Sequence, residues 1–142
     1  QNKPLIIRSP KAIRPWQHVL EPLFGYLMLG VALKKNPEKY SSSWNFGPEI
    51  GDTKTVEEII NFGKISKIVV KVVYEESPLV EAQSLKLNIT KAKEELSFNP
   101  VWKAEQAIKT TFGWYYSYYQ HNSTAKELID KDLNSYLNQA EC

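Results

Sequence analysis

The sequence predicts an α/β chain, mostly helical, with a few short strands. Three observations carry that reading. Apolar residues recur at helical spacing through 20–33, 103–121 and 124–137. Two Thr-x-x-Glu capping boxes, Thr55 to Glu58 and Thr124 to Glu127, stand where helices should open. Residues 68–74 form a β-branched run that reads as a strand. The strands are too few for a complete parallel sheet within the chain itself.

Taken in order, residues 3–8 read as a short strand, and Ser9-Pro10-Lys11 as a turn. Residues 12–18 are extended, because Pro15 fixes its own φ and holds Arg14 out of the helical region. A long helix opens near residues 19–21, with Pro22 in its first turn, where a missing N–H does no harm. Leu20, Leu23, Phe24, Leu27, Met28 and Val31 follow its period, and Tyr26, Leu29 and Leu33 widen the apolar face, so deep burial is expected. Gly25 and Gly30 imply close packing on that helix. Lys34 and Lys35 suit its C-terminal dipole, and Asn36-Pro37 ends it.

Residues 37–43 read as a polar connection and 44–48 as a short strand ending in Gly47-Pro48. A loop, 49–54, leads to the helix opened by Thr55, which should end near Gly63. The strand 68–74 alternates poorly, so either both its faces are covered or one is a contact surface. Residues 84–87 are extended, and Asn88 or Thr90 caps a short helix running to Leu96. A turn at 97–102 carries Pro100. It precedes a long helix over 103–121 and a last helix whose apolar residues are Leu128, Ile129, Leu133, Tyr136 and Leu137.

Composition narrows the function classes. The 142 residues fit one ordinary domain, with hydrophobic and charged fractions typical of globular chains. A net charge of +2 is too small to argue for nucleic acid. A single cysteine, Cys142, excludes an intrachain disulfide framework or a cysteine-cluster metal site. Neither a leader-like N-terminal pattern nor an apolar run of roughly 20 residues is present, so no membrane span is expected, and a cytoplasmic location follows as the expectation. The start, Gln1-Asn2-Lys3-Pro4, reads as an internal cut.

Chemistry is sparse. The six glycines are scattered and form no dinucleotide-binding loop. No tyrosine has a lysine four residues downstream, so the pair that activates a phenol for proton transfer is missing. The histidines, His18 and His121, are far apart; neither metal binding nor a catalytic triad is expected, and His18 reads as an orienting hydrogen-bond partner. Arg14 offers a planar fork that suits phosphate oxygens, and a structural ion pair is the equal alternative. Glu81 with Lys86 reads first as a solvated strand edge. The aromatic run 114–119 places its rings around a helix, some toward the core and some toward a partner surface. Two glycosylation-like triplets, at Asn88 and Asn122, read as helix caps.

The segment Ile13-Arg-Pro-Trp-Gln-His-Val-Leu-Glu-Pro22 resembles one found in CDP-glucose 4,6-dehydratases, which are extended short-chain dehydrogenases acting on nucleotide sugars. The resemblance continues through Trp44-Asn-Phe-Gly-Pro48, Glu81-Ala82 with Leu85 and Leu87, Lys91-Ala92 with Leu96, and Pro100-Val-Trp102 with Trp114-Tyr115. It covers roughly residues 3–120. Val80 and Asn88 depart from it where the subgroup usually has histidine and aspartate, and 62–77 fits poorly.

The resemblance implies the C-terminal, substrate-binding part of a Rossmann-type extended short-chain dehydrogenase, with the N-terminal cofactor half absent. It divides the chain into 1–54, the edge of the dinucleotide-binding sheet; 55–120, the substrate lobe; and 121–142, an extra C-terminal helix. It implies Arg14 at the pyrophosphate of a nucleotide sugar, CDP-glucose, with Arg8 and Glu81 nearer the nucleoside and no catalytic residue in the chain. The implied reaction removes a hydride from the sugar's C4 onto NAD, loses water across C5 and C6, and returns the hydride to C6. The implied partners are the missing N-terminal half or a second copy. Two other readings stand beside it: a segment of another nucleotide-sugar epimerase or dehydratase, and a stand-alone, non-catalytic binding or scaffold protein.

Overall fold

The computed structural model describes residues 3–65, 71–75 and 82–140. Helices predominate. The elements are β1 (Leu5–Ile7), β2 (Ile13–Arg14), α1 (Leu20–Lys35), α2 (Pro37–Tyr40), β3 (Lys54–Thr55), α3 (Val56–Ile65), β4 (Val72–Tyr74), α4 (Thr90–Leu96), α5 (Ala104–Gln120) and α6 (Ala125–Leu137). Among the described residues the strands form two pairs: β1 with β4, parallel, and β2 with β3, antiparallel. Residues 68–70 of the expected strand lie outside the described residues. Its remainder, β4, sets Val72 opposite Leu5.

Capping chemistry sets most helix starts. Thr55 Oγ1 accepts from the Glu58 N–H at 3.2 Å, and Glu58 Oε2 accepts from the Thr55 N–H at 2.7 Å. Thr124 and Glu127 repeat that box on α6. Asn88 Oδ1 accepts from the Thr90 N–H at 2.9 Å, so both glycosylation-like triplets serve as caps. α5 has no local cap. Asp52, from the loop before β3, accepts from the Ala104 N–H instead. A carboxylate there also meets the positive end of the helix dipole.

Two apolar clusters flank α1. Phe46, Ala92, Leu96 and Phe98 form one, against which Met28, Leu29 and Ala32 pack. Trp102, Tyr136 and Ala140 form the other, against Leu20 and Phe24. Glu21, wholly buried, anchors α1 at the second cluster. Its carboxylate accepts from the Val101 N–H at 3.1 Å, the Trp102 N–H at 2.6 Å and the Tyr136 hydroxyl at 2.9 Å. α1 is thereby joined to the turn before α5 and to α6.

Several expectations are corrected. α1 is not deeply buried: Leu23, Tyr26, Leu27 and Val31 stay exposed, Leu27 at 70 %. Its two clusters contact residues at 20, 24, 28, 29 and 32, which leaves the opposite stripe bare. Gly25 packs under the Phe46 ring, as its residue type implied, but Gly30 has nothing nearby. Residues 44–48 form no strand, because no neighbouring strand pairs with them; they run irregularly, with Phe46, Gly47 and Pro48 buried. Pro37 opens α2 rather than a coil, since Asn36 Oδ1 caps the Lys39 N–H. α3 runs two residues past Gly63. None of the rings at 114–119 is buried; they stack on one another along α5, Trp114 on Tyr118 at 5.1 Å.

Two stability predictions follow from this packing. Tyr136→Phe removes one hydrogen bond to a buried carboxylate and should lower the unfolding free energy by about 1.5–3 kcal/mol in urea titration. A loss below about 0.5 kcal/mol would show that Glu21 does not depend on that hydroxyl. Gly30→Ala, into open space, should stabilise by up to about 1 kcal/mol. Gly25→Ala, into the Phe46 ring, should destabilise. Equal effects at the two glycines would contradict the packing described for α1.

Candidate functional site

The candidate site is built on residues 13–21. β2 lies between two other segments. Ile13 donates its N–H to Gln83 O at 2.8 Å and accepts at its carbonyl from the Leu85 N–H at 3.1 Å. On its other side Ile13 pairs with Thr55, and Arg14 with Lys54. Pro15 ends the ladder, since it has no N–H to give.

Beyond the strand, side chains hold the backbone. Trp16 Nε1 donates to Lys54 O at 2.9 Å, and Gln17 Nε2 to Phe46 O at 3.1 Å. His18 is 7 % exposed; its Nδ1 accepts from the Leu20 N–H at 3.3 Å and its ring meets Trp102 edge-on at 4.9 Å. That fits the orienting role expected of it. Its partners are the start of α1 and Trp102, however, not the Arg14 or Glu21 side chains. The segment runs straight into Glu21, so one stretch carries both a half-buried arginine and a wholly buried polar anchor.

Arg14 is half-buried. Its Nη1 donates to Ile13 O at 2.9 Å and to Ala82 O at 3.0 Å. Two carbonyls on one nitrogen fix the plane of the guanidinium. Lys54, across the pair, adds a second positive charge. Arg8 sits exposed just past β1. Glu81 lies outside the described residues; Arg14 reaches the carbonyl of the residue that follows it. Asn88 caps α4 and its carbonyl accepts from Asn45 Nδ2 at 3.3 Å.

A cleft of about 560 Å3 opens beside this segment, where the start of α1 faces α5 and α6. Its walls are mostly apolar and aromatic, including Leu20, Leu23, Trp114 and Tyr115, with Asp132 as its carboxylate. Sequence reading missed Glu21, Tyr136 and Asp132. A lone acid inside the apolar run 19–33 was the available signal for Glu21; nothing local marks the other two. Among the described residues no cluster of three metal-ligating side chains occurs, and no helix is long and apolar enough to cross a membrane.

No protein-family model matches the chain. It is 39 % identical over 121 residues to CDP-glucose 4,6-dehydratase of Salmonella typhimurium. The chain thus matches one part of a CDP-glucose 4,6-dehydratase. The match takes in 80 % of this chain and 32 % of the dehydratase, so the chain spans about a third of that relative's length. The resemblance carried by residues 13–22 agrees with that finding. The mixed helices and few strands are compatible with a partial α/β domain.

Burial lowers the His18 pKa below its ordinary value of 6.5. The unfolded chain therefore takes up a proton that the folded chain resists. The contribution to stability is complete above pH 6.5 and is lost as pH falls below it. The urea midpoint should drop between about pH 7.5 and about pH 5.5, and His18→Gln should flatten that drop. An identical pH profile in the variant would remove His18 as the cause.

Proposed function

We propose that this chain is the sugar-nucleotide-binding segment of a CDP-glucose 4,6-dehydratase, a lyase that converts CDP-glucose to CDP-4-keto-6-deoxyglucose with NAD. The 39 % identity to the Salmonella dehydratase is the observation that carries the reading. The geometry of Arg14 supports it. A guanidinium already pinned by two carbonyls loses less freedom when it meets an anion, and its planar fork matches a pyrophosphate. In this reading Arg14 holds the pyrophosphate, and Arg8 and Glu81 lie nearer the nucleoside. Residues 1–54 border the dinucleotide-binding sheet, 55–120 make the substrate lobe, and 121–142 add the terminal helix.

The residues present do not fit NAD itself. α1, the long helix that follows a strand, opens on Val19-Leu20-Glu21, with a buried carboxylate where a dinucleotide loop needs glycines and an open N-terminus. The α3 N-terminus is closed by its own capping box. The cofactor and the proton-transfer groups are therefore assigned to the portion of the enzyme that this chain does not match. The role left to this chain is to bind and orient the substrate.

The test is calorimetric titration with CDP-glucose, CDP and UDP-glucose at fixed salt, for the wild type, Arg14→Ala and Arg14→Lys. CDP-glucose and CDP should bind more tightly than UDP-glucose, and Arg14→Ala should weaken them at least about tenfold, the effect of losing a charged contact. Arg14→Lys should recover only part, because an ammonium cannot grip two oxygens in one plane. Unchanged binding in Arg14→Ala would remove Arg14 from the site. Binding of no nucleotide would overturn the assignment of substrate binding to this segment by itself.

A further inference from the structure

We propose that the cleft between the start of α1, α5 and α6 binds a small organic ammonium with an apolar stem, its charge held by Asp132 and its stem by the Trp114–Tyr115 wall. The inference is independent of the nucleotide reading, which rests on the dehydratase match and on Arg14.

The volume, about 560 Å3, lies within the range of small-molecule sites. The lining is predominantly apolar: Leu20, Leu23 and Ile129 are aliphatic, and Trp114 meets Tyr115 edge-on at 5.2 Å. Asp132 is half-buried there and makes no hydrogen bond or ion pair among the described residues. Lys131 is the charge acting on it, and burial outweighs that charge, so its carboxyl is pushed above the ordinary carboxylate range. Lys109 and Lys131 line the polar groove on the far side of Asp132.

A carboxylate that the fold has partly stripped of water, with no donor supplied, gains more from a cation than a solvated one would. The surrounding walls then decide which cation. A hydrated inorganic ion finds no second carboxylate on this lining, whereas an alkyl- or arylammonium covers apolar wall and places its charge near aromatic faces. His18, the other group on this lining that can carry a positive charge, does not oppose it at neutral pH, because burial disfavours its charged form.

The probes are three molecules of similar shape and different charge: 2-phenylethylammonium, 2-phenylethanol and 3-phenylpropionate. Binding is followed by tryptophan fluorescence and by shifts of backbone amides around residues 111–115 and 129–132. The ammonium should bind at least tenfold more tightly than the alcohol, and the propionate should not bind. Asp132→Asn, nearly isosteric, should erase the preference for the ammonium without lowering the thermal midpoint and with the affinity for the alcohol unchanged. Equal binding of ammonium and alcohol by the wild type, or a preference that survives Asp132→Asn, overturns the proposal. So does an absence of any shift at those amides.

Discussion

The start of α1, the turn before α5 and the end of α6 meet at the carboxylate of Glu21. Its three donors come from the turn before α5 and from α6, 80 to 115 residues away. Taking a carboxylate out of water is expensive, of the order of several kcal/mol even after relaxation. The three donors, two of them backbone N–H groups with no helical partner at this turn, repay it. The arrangement is therefore close to neutral in net energy and sharply selective in geometry. An apolar residue at 21 would leave two backbone N–H groups and a buried hydroxyl unmet.

The same constraint explains the two unlike faces of α1. Glu21 fixes the rotation of the helix. That rotation turns 20 and 24 toward Trp102 and Tyr136, and 25, 28, 29 and 32 toward Phe46 and its neighbours. What remains is a stripe at 23, 27 and 31, flanked by Tyr26, which a solvated helix would not carry. The width of the apolar face was legible in the sequence. Its occupancy was not, because hydropathy marks a face as fit for burial without saying whether the covering surface lies within the same chain.

Local chemistry was the readable part. Both capping boxes, the Asn88 cap, the extents of α1, α5 and α6 and the approach of Gly25 to another element depend on a few adjacent residues and a rotational period. Long-range chemistry was not. Asp52 capping α5, and Tyr136 reaching Glu21, join residues whose local contexts say nothing of each other. Residues 44–48 show the reverse failure. Trp44, Phe46 and the breaker Gly47-Pro48 satisfy strand rules, yet a strand exists only where a neighbour pairs with it, and here Phe46 is fixed instead by Gly25, Tyr26 and Phe98. At the candidate site the sequence marked Arg14 but left open whether it reads a phosphate or braces the backbone, and its two carbonyl contacts show that bracing is at least one of its tasks.

That double duty bears on how far similarity alone can carry function. Residues 13–21 contain the arginine of the binding proposal, the two side chains that tie the segment to Lys54 and Phe46, and the carboxylate on which the core depends. Selection for folding would preserve most of that stretch even in a chain that bound nothing. Resemblance there is thus strong support for a shared structure and weaker support for a shared ligand. The two separate at Arg14. Two bonds that brace the backbone run through one terminal nitrogen, which a lysine ammonium can imitate, whereas a planar two-point grip on a pyrophosphate can be imitated only in part. A lysine at 14 that preserves folding and recovers only part of the nucleotide binding would assign the arginine to the ligand, and one that preserves both in full would assign it to the fold.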